Sequence, residues 1–135
     1  MITLHHEMTY QLKLAGPLTA AEGSPVGARD IERCRKGERV AAKLAMPGGG
    51  WMMVSTDRFD RPDVRVQFIT DDGAVILLHY TGLVERTQAF KNAAEKGTKS
   101  DWADQYMRIA MRFDTGVEKY AWLNESLFIA EGRLA

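Results

Sequence analysis

The chain predicts an all-β fold, mainly antiparallel, that closes into a small barrel around a ligand-sized interior, with one short helix inserted over Val84 to Lys96. Three observations carry this. Short segments alternate apolar and polar residues with period two, the pattern of half-buried strands. Turn residues separate these segments, and eight or nine such strands favour a barrel or sandwich over a layered α/β fold. The best helical spacing is confined to one short stretch. At 135 residues the whole reads as a single domain, large enough to bury a core without staples.

The first strand is expected over Glu7 to Leu14, where Met8, Tyr10, Leu12 and Leu14 alternate with Thr9, Gln11 and Lys13, and Ala15-Gly16-Pro17 ends it. Ala28 to Arg35 is the second, with Lys36-Gly37 turning the chain, and Val40 to Met46 the third. Pro47-Gly48-Gly49-Gly50 reads as a loop, because three glycines give the backbone freedom and no side chains to pack. Trp51 to Thr56 follows as a fourth strand.

Val64 to Asp71 and Ala74 to Tyr80 flank Asp72-Gly73, a pair suited to a two-residue turn with positive φ, and so predict a β-hairpin. In that register Phe68 faces Leu77, Val66 faces His79 and Arg65 faces Tyr80. One face carries Val64, Val66, Phe68, Val75, Leu77 and His79; the other carries Asp63, Arg65, Gln67, Ile69, Ile76, Leu78 and Tyr80. His79 and Arg65 therefore cannot both point inward in a regular hairpin, and a one-residue slip exchanges the faces.

In the helix, Ala89, Phe90, Ala93 and Ala94 lie near one stripe and Gly97 is placed to stop it, after which Ser100 can cap a further short turn. The β pattern returns at Gln105 to Phe113, turns at Asp114-Thr115-Gly116, and finishes with strands over Tyr120 to Asn124 and Leu127 to Leu134.

Lys and Arg total 18 against 18 Asp and Glu, so no net field concentrates nucleic acid or an anionic membrane, and neither is expected as a partner. Met1 to Glu7 lacks the basic start and apolar run of a signal peptide, and no stretch approaches the roughly 18 apolar residues of a membrane span. A soluble protein is expected. Cys34 is the single cysteine and cannot form an internal disulfide, which suggests a reducing compartment and places the chain in the cytoplasm.

Several pieces read together as one pattern: Ser24-Pro25-Val26-Gly27-Ala28-Arg29, Pro47-Gly48-Gly49-Gly50-Trp51, Asp63-Val64-Arg65, Thr70-Asp71-Asp72-Gly73-Ala74, Tyr106-Met107-Arg108, Phe113-Asp114-Thr115-Gly116 and Tyr120-Ala121-Trp122-Leu123-Asn124. In this order and spacing, over nearly the whole chain, they resemble the domain-of-unknown-function 3237 family, of the UPF0311 type. The resemblance implies a calycin- or lipocalin-like β-barrel, often oligomeric, with a central pocket, and it names no family-wide activity. The chain departs from it where Gly50 stands in place of a common Asp, and where Ala110-Met111-Arg112 replaces a proline-containing stretch. Glu85 to Asp104 looks like a local elaboration able to act as a lid.

Asp63 and Arg65 lie at i and i+2 on one strand face, with Gln67 continuing the row and Tyr80 opposite Arg65. They form a polar floor able to orient a carbonyl, carboxylate or phenol if that face is inside, and a solvated face or subunit contact if it is not. His79 is the most attractive acid–base group, since histidine ordinarily titrates near pH 6.5, yet it has no visible orienting partner and can equally be satisfied by a backbone carbonyl. Tyr120, Trp122 and Asn124 share strand parity and suit a flat, mostly apolar ligand with one or two polar atoms, or else core packing. Trp51 is expected at the barrel mouth, and Arg108 and Arg29 as rim or pocket cations or structural ion pairs, with Arg108 the better of the two. His5 and His6 are adjacent and point to opposite faces, so they cannot clamp one metal, and no other spacing suits a metal.

Two functions follow. The first is a cofactor-independent isomerase, lyase or hydratase acting on a small hydrophobic or aromatic carbonyl compound. His79 or Asp63 would move the proton, Arg65 or Arg108 would stabilise negative charge, and Tyr120, Trp122 and Asn124 would hold the substrate. The second is a barrel that carries or senses a small apolar ligand unchanged; a barrel packed solid as a structural subunit is a third possibility. Homo-oligomer formation fits all of these, and seven methionines suit adaptable apolar contacts.

Overall fold

The computed structural model describes residues 1–10, 13–14, 25–30, 34–35, 39–45 and 48–134. Ten strand segments follow one another: β1 Thr9–Tyr10, β2 Lys13–Leu14, β3 Pro25–Asp30, β4 Cys34–Arg35, β5 Ala42–Leu44, β6 Gly48–Val54, β7 Phe59–Thr70, β8 Val75–Glu85, β9 Met107–Asp114 and β10 Phe128–Glu131. Helix α1 spans Gln88–Lys96 and two short 3-10 helices span Trp102–Asp104 and Glu118–Leu123. Every ladder among the described residues is antiparallel. Segments β1 and β2 pair with β4 and β3, these pair with β5 and β6, both of which lie along β7, and β8, β9 and β10 continue the sheet in turn. The result is a meander of antiparallel runs. Among the described residues no ladder joins β10 back to β1 or β2, so the described sheet is open where the sequence predicts a closed barrel.

The hairpin of β7 and β8 has a different turn from the one expected. Thr70 N donates to Ala74 O (2.8 Å) and Gly73 N to Thr70 O (3.0 Å), which makes Asp71, Asp72 and Gly73 a three-residue loop. Gly73 takes φ 88°, a conformation that glycine adopts without a side-chain clash, and closes a type I turn with a bulge. The extra residue slips the register by one. Phe68 pairs with Ile76, Val66 with Leu78, Arg65 with His79 and Val64 with Tyr80. Val66, Phe68, Ile76, Leu78 and Tyr80 are buried together. Asp63, Arg65, Gln67, Ile69, Val75, Leu77 and His79 share the opposite, outer face.

Pro47-Gly48-Gly49-Gly50 does not form the expected loop: Gly48 to Gly50 begin β6, and Gly49 pairs with Arg65 and Gly50 with Val64. The strands crowd there. A Cβ on Gly50 would lie 2.5 Å from Val64 Cγ2 and 2.8 Å from Asp63 O, whereas one on Gly49 would meet nothing within 4 Å.

Helix α1 begins later than the sequence reading. Val84 and Glu85 stay in β8 because Val84 pairs with Met107 and Glu85 N donates to Tyr106 O (2.7 Å). Thr87 then caps the helix by accepting from Phe90 N (3.1 Å), and Gly97 at φ 63° ends it with its N–H on the carbonyls of Ala93 and Ala94. Ser100 caps no turn. It is buried, donates to Gln105 Oε1 (2.7 Å) and accepts from Leu134 N (3.0 Å), tying down the C-terminal segment. Beside α1, Arg86 Nε sits 2.8 Å from Asp60 Oδ1 without hydrogen-bond alignment, and burial raises the Asp60 carboxyl pKa against the pull of Arg86 and Lys91.

Tyr120 to Asn124 is not a strand. The 3-10 helix buries Tyr120 and Leu123, three residues apart as its repeat demands, and Asn124 clamps the preceding turn by accepting from Thr115 N (2.9 Å) and donating to Thr115 O (2.8 Å). Tyr120 Oη donates to Asp72 (2.9 Å), which also accepts from Thr70 Oγ1 and from Lys119 Nζ (2.6 Å). Lys119, Thr70 and Tyr120, in that order, hold the Asp72 carboxyl far below the usual range.

Gly50→Ala should therefore destabilise the protein by about 1–3 kcal/mol through overpacking, while Gly49→Ala should be neutral or slightly stabilising; urea unfolding of both variants checks this. For Asp72 the folded pKa lies below the unfolded value of about 3.9, so its contribution is complete above that pH and fades as pH falls toward the folded value. Asp72→Ala should lower the thermal midpoint at pH 7, and the gap from the parent protein should narrow below about pH 4 in thermal melts across pH.

Candidate functional site

The slipped register brings three of the predicted residues together. His79 Nε2 lies 2.8 Å from Asp63 Oδ1. A carboxylate only accepts, so Nε2 carries the proton that joins them. Arg65 Nη1 stands 3.5 Å from the same oxygen. His79 and Arg65, which the two-residue turn would set on opposite faces, are thus neighbours. The group does not line the interior: the side chains of Arg65, Asp63 and His79 are 69%, 45% and 37% exposed on the outer face.

The inner face meets different chemistry. Phe68 from β7, Ile76 and Leu78 from β8 and Phe113 from β9 form one wall of a pocket, and Val40, Ala42, Met8 and Leu123 form the rest. Every one of these side chains is apolar. The space counted out to its mouth is about 340 Å³, though the enclosed part holds only about one water-sized guest. Met8 follows directly on Glu7, whose carboxylate accepts from Arg39 Nε and Nη2 at 2.9 Å each. That bonding lowers the Glu7 pKa. The same guanidinium lies 3.6 Å from the centre of the Trp122 ring, a cation–π contact. A chain of Trp122, Arg39 and Glu7 therefore fixes the residue beside Met8.

The remaining predicted residues are scattered. Gln67 is on the outer face opposite Leu77, and Tyr80 is buried in the core. Arg108 is exposed, 3.4 Å from Glu131 and 4.8 Å from the Tyr106 ring centre. Tyr120 anchors Asp72, Trp122 packs edge-on to Phe128 with ring centres 6.2 Å apart, and Asn124 is spent on Thr115. These three do not form an aromatic wall with an amide, because a 3-10 helix does not keep strand parity. Trp51 lies on β6 opposite Asp63, and Arg29 on β3; the side chains of both fall outside the described residues, as does that of Cys34. Among the described residues no three His, Cys, Asp or Glu are arranged to hold a metal ion, and no helix is long and apolar enough to cross a membrane.

Sequence reading missed Met8 as a pocket residue, the Glu7–Arg39 pair and Arg112. Arg112 is the one with a signal, since it alternates with Met111 and Phe113 toward the outer face and pairs with His79.

The profile of the family described as "Protein of unknown function (DUF3237)" matches residues 2–135. A UPF0311 protein of Bradyrhizobium diazoefficiens is 30% identical over 129 residues, covering 90% of this chain and 82% of the relative. A UPF0311 protein of Rhodopseudomonas palustris is 32% identical over 98 residues, covering 70% of this chain; the match spans 61% of that relative's length. Among solved structures, a conserved protein of unknown function from R. palustris superposes with TM-score 0.78 at 19% identity, covering 95% of this chain and 89% of the other. A beta-barrel like protein from Acinetobacter baumannii gives 0.62 at 23% identity, covering 91% and 87%. The structural likenesses speak for the fold alone, while the profile match from Ile2 to Ala135 shows that the chain belongs to the DUF3237 family.

Proposed function

We propose that the protein binds a small apolar ligand, without transforming it, in the pocket lined by Met8, Phe68, Leu78 and Leu123. One observation carries this reading: all the side chains lining the pocket are apolar, while the acid–base groups sit on the other side of the sheet. Apolar pockets of this kind gain binding energy from area removed from water, about 25 cal/mol per Å². They offer a substrate no proton donor. The enclosed volume is small in the present state, so entry requires lining side chains to shift, and the flexible thioether of Met8 suits that task. Closure of the sheet into a calycin-like barrel over the pocket belongs to the same reading.

A second reading keeps the acid–base assignment, with isomerase, lyase or hydratase chemistry at the outer face. Its support is the 2.8 Å bond between Asp63 and His79, which orients the ring as a catalytic dyad requires. Against it, solvent reaches all three side chains, and catalysis by such groups is strongest where water is excluded.

Titration with the uncharged fluorophore N-phenyl-1-naphthylamine separates the two. Saturable enhancement is expected, tightened several-fold by Met8→Ala and weakened about tenfold or more by Ala42→Leu, which fills the pocket. Asp63→Asn and His79→Gln should leave the titration unchanged. Loss of binding in these two outer-face variants, or none in Ala42→Leu while its thermal unfolding stays cooperative, overturns the pocket reading.

A further inference from the structure

On the outer face, Gly49, Arg65, His79 and Arg112 form one continuous row across β6, β7, β8 and β9. Directly opposed side chains in antiparallel pairs have Cβ atoms roughly 4.5–5.5 Å apart, and like charges there repel. The row holds two guanidiniums on either side of an imidazole. One carboxylate answers them: Asp63 touches His79 at 2.8 Å and Arg65 at 3.5 Å through the same oxygen. Arg112 is exposed and makes no ion pair among the described residues. Asp114, two residues along β9 on the same face, forms no ion pair with it among the described residues. Gly49 leaves open space beside Arg65.

We infer that this row is a binding site for a small oxyanion, a phosphate or carboxylate group, clasped between Arg65 and Arg112 over the His79 ring. Three features of the row support this. Guanidinium groups present paired N–H donors that match oxyanion geometry. The uncompensated positive charge of the row is lowered in energy by an added anion. Space is available, because no side chain rises from Gly49 and the side chains of Arg65, His79 and Arg112 all reach solvent. The site is separate from the apolar pocket, and its failure would leave the pocket reading intact.

Amide and imidazole NMR shifts of the full chain, followed while sodium phosphate or sodium acetate replaces sodium chloride at constant ionic strength, test this. Saturable shifts centred on Gly49, His79 and Arg112 are expected, and the anion that saturates at the lower concentration identifies the group. Arg112→Ala should weaken binding about tenfold, as loss of one charge-assisted contact does, and Arg65→Ala similarly. Asp63→Asn removes the competing carboxylate and should tighten binding. A response no greater than chloride gives, an unchanged affinity in Arg112→Ala, or weaker binding in Asp63→Asn overturns the site; because these side chains are exposed, the variants are expected to keep the parent's thermal midpoint within a few degrees.

Discussion

The turn from Thr70 to Ala74 decides which chemistry faces the core and which faces out. Gly73 at φ 88° permits three loop residues rather than two, and that extra residue sets the register of the whole β7–β8 hairpin. Thr70 reinforces the choice by accepting from Ala74 N (2.8 Å) through its hydroxyl and donating from the same oxygen to Asp72. Asp72 then holds Lys119 and Tyr120, so the second 3-10 helix is tethered to the turn. Through that tether Leu123 is set against the core, where it helps close the apolar pocket.

From the register follows a clean division of labour between faces. Successive residues in a strand point to opposite sides, so setting Val66, Phe68, Ile76 and Leu78 inward forces Arg65, Gln67, Leu77 and His79 outward. Burying that set instead would cost several kcal/mol for the Arg65 guanidinium if left unpaired, whereas the apolar set gains from burial. The energy of the core therefore removes the polar residues from the pocket. The central strands line the pocket with Phe68, Ile76, Leu78 and Phe113 alone, all of them apolar.

Much of this fold was legible in the sequence. Alternation located the strands of the β7–β8 hairpin and β9, Gly97 ended the helix, and the serial motifs from Ser24 to Asn124 pointed to the right family. The failures have physical causes. Asp72-Gly73 suits both a two-residue turn and a type I turn with a glycine bulge, and the hydroxyl of Thr70, which helps choose between them, acts through the folded loop. Val84 and Glu85 fit a helix, but β9, distant in sequence, claims their backbone groups. Tyr120 to Asn124 is too short for period two to be told from period three, and the clamp of Asn124 on Thr115 is a contact that alternation cannot reveal. The Asp63, Arg65 and His79 trio was named residue by residue, yet its placement on one face rested on the one-residue slip.

The glycine run ties the two faces together. Read as a loop it has no sidedness; as the start of β6 it has two. Gly48 and Gly50 abut Val66 and Val64, where the absent side chains let β6 approach β7 closely enough that a Cβ at position 50 has no room. Gly49 lies between them on the other face, opposite Arg65, and bares the end of the charged row. Residues with side chains at 48 and 50 would push β6 away from the core, and a bulky one at 49 would cover Arg65. One tract of three glycines thus permits tight packing inside and an open cationic row outside, which explains why a strand tolerates residues that ordinarily weaken it.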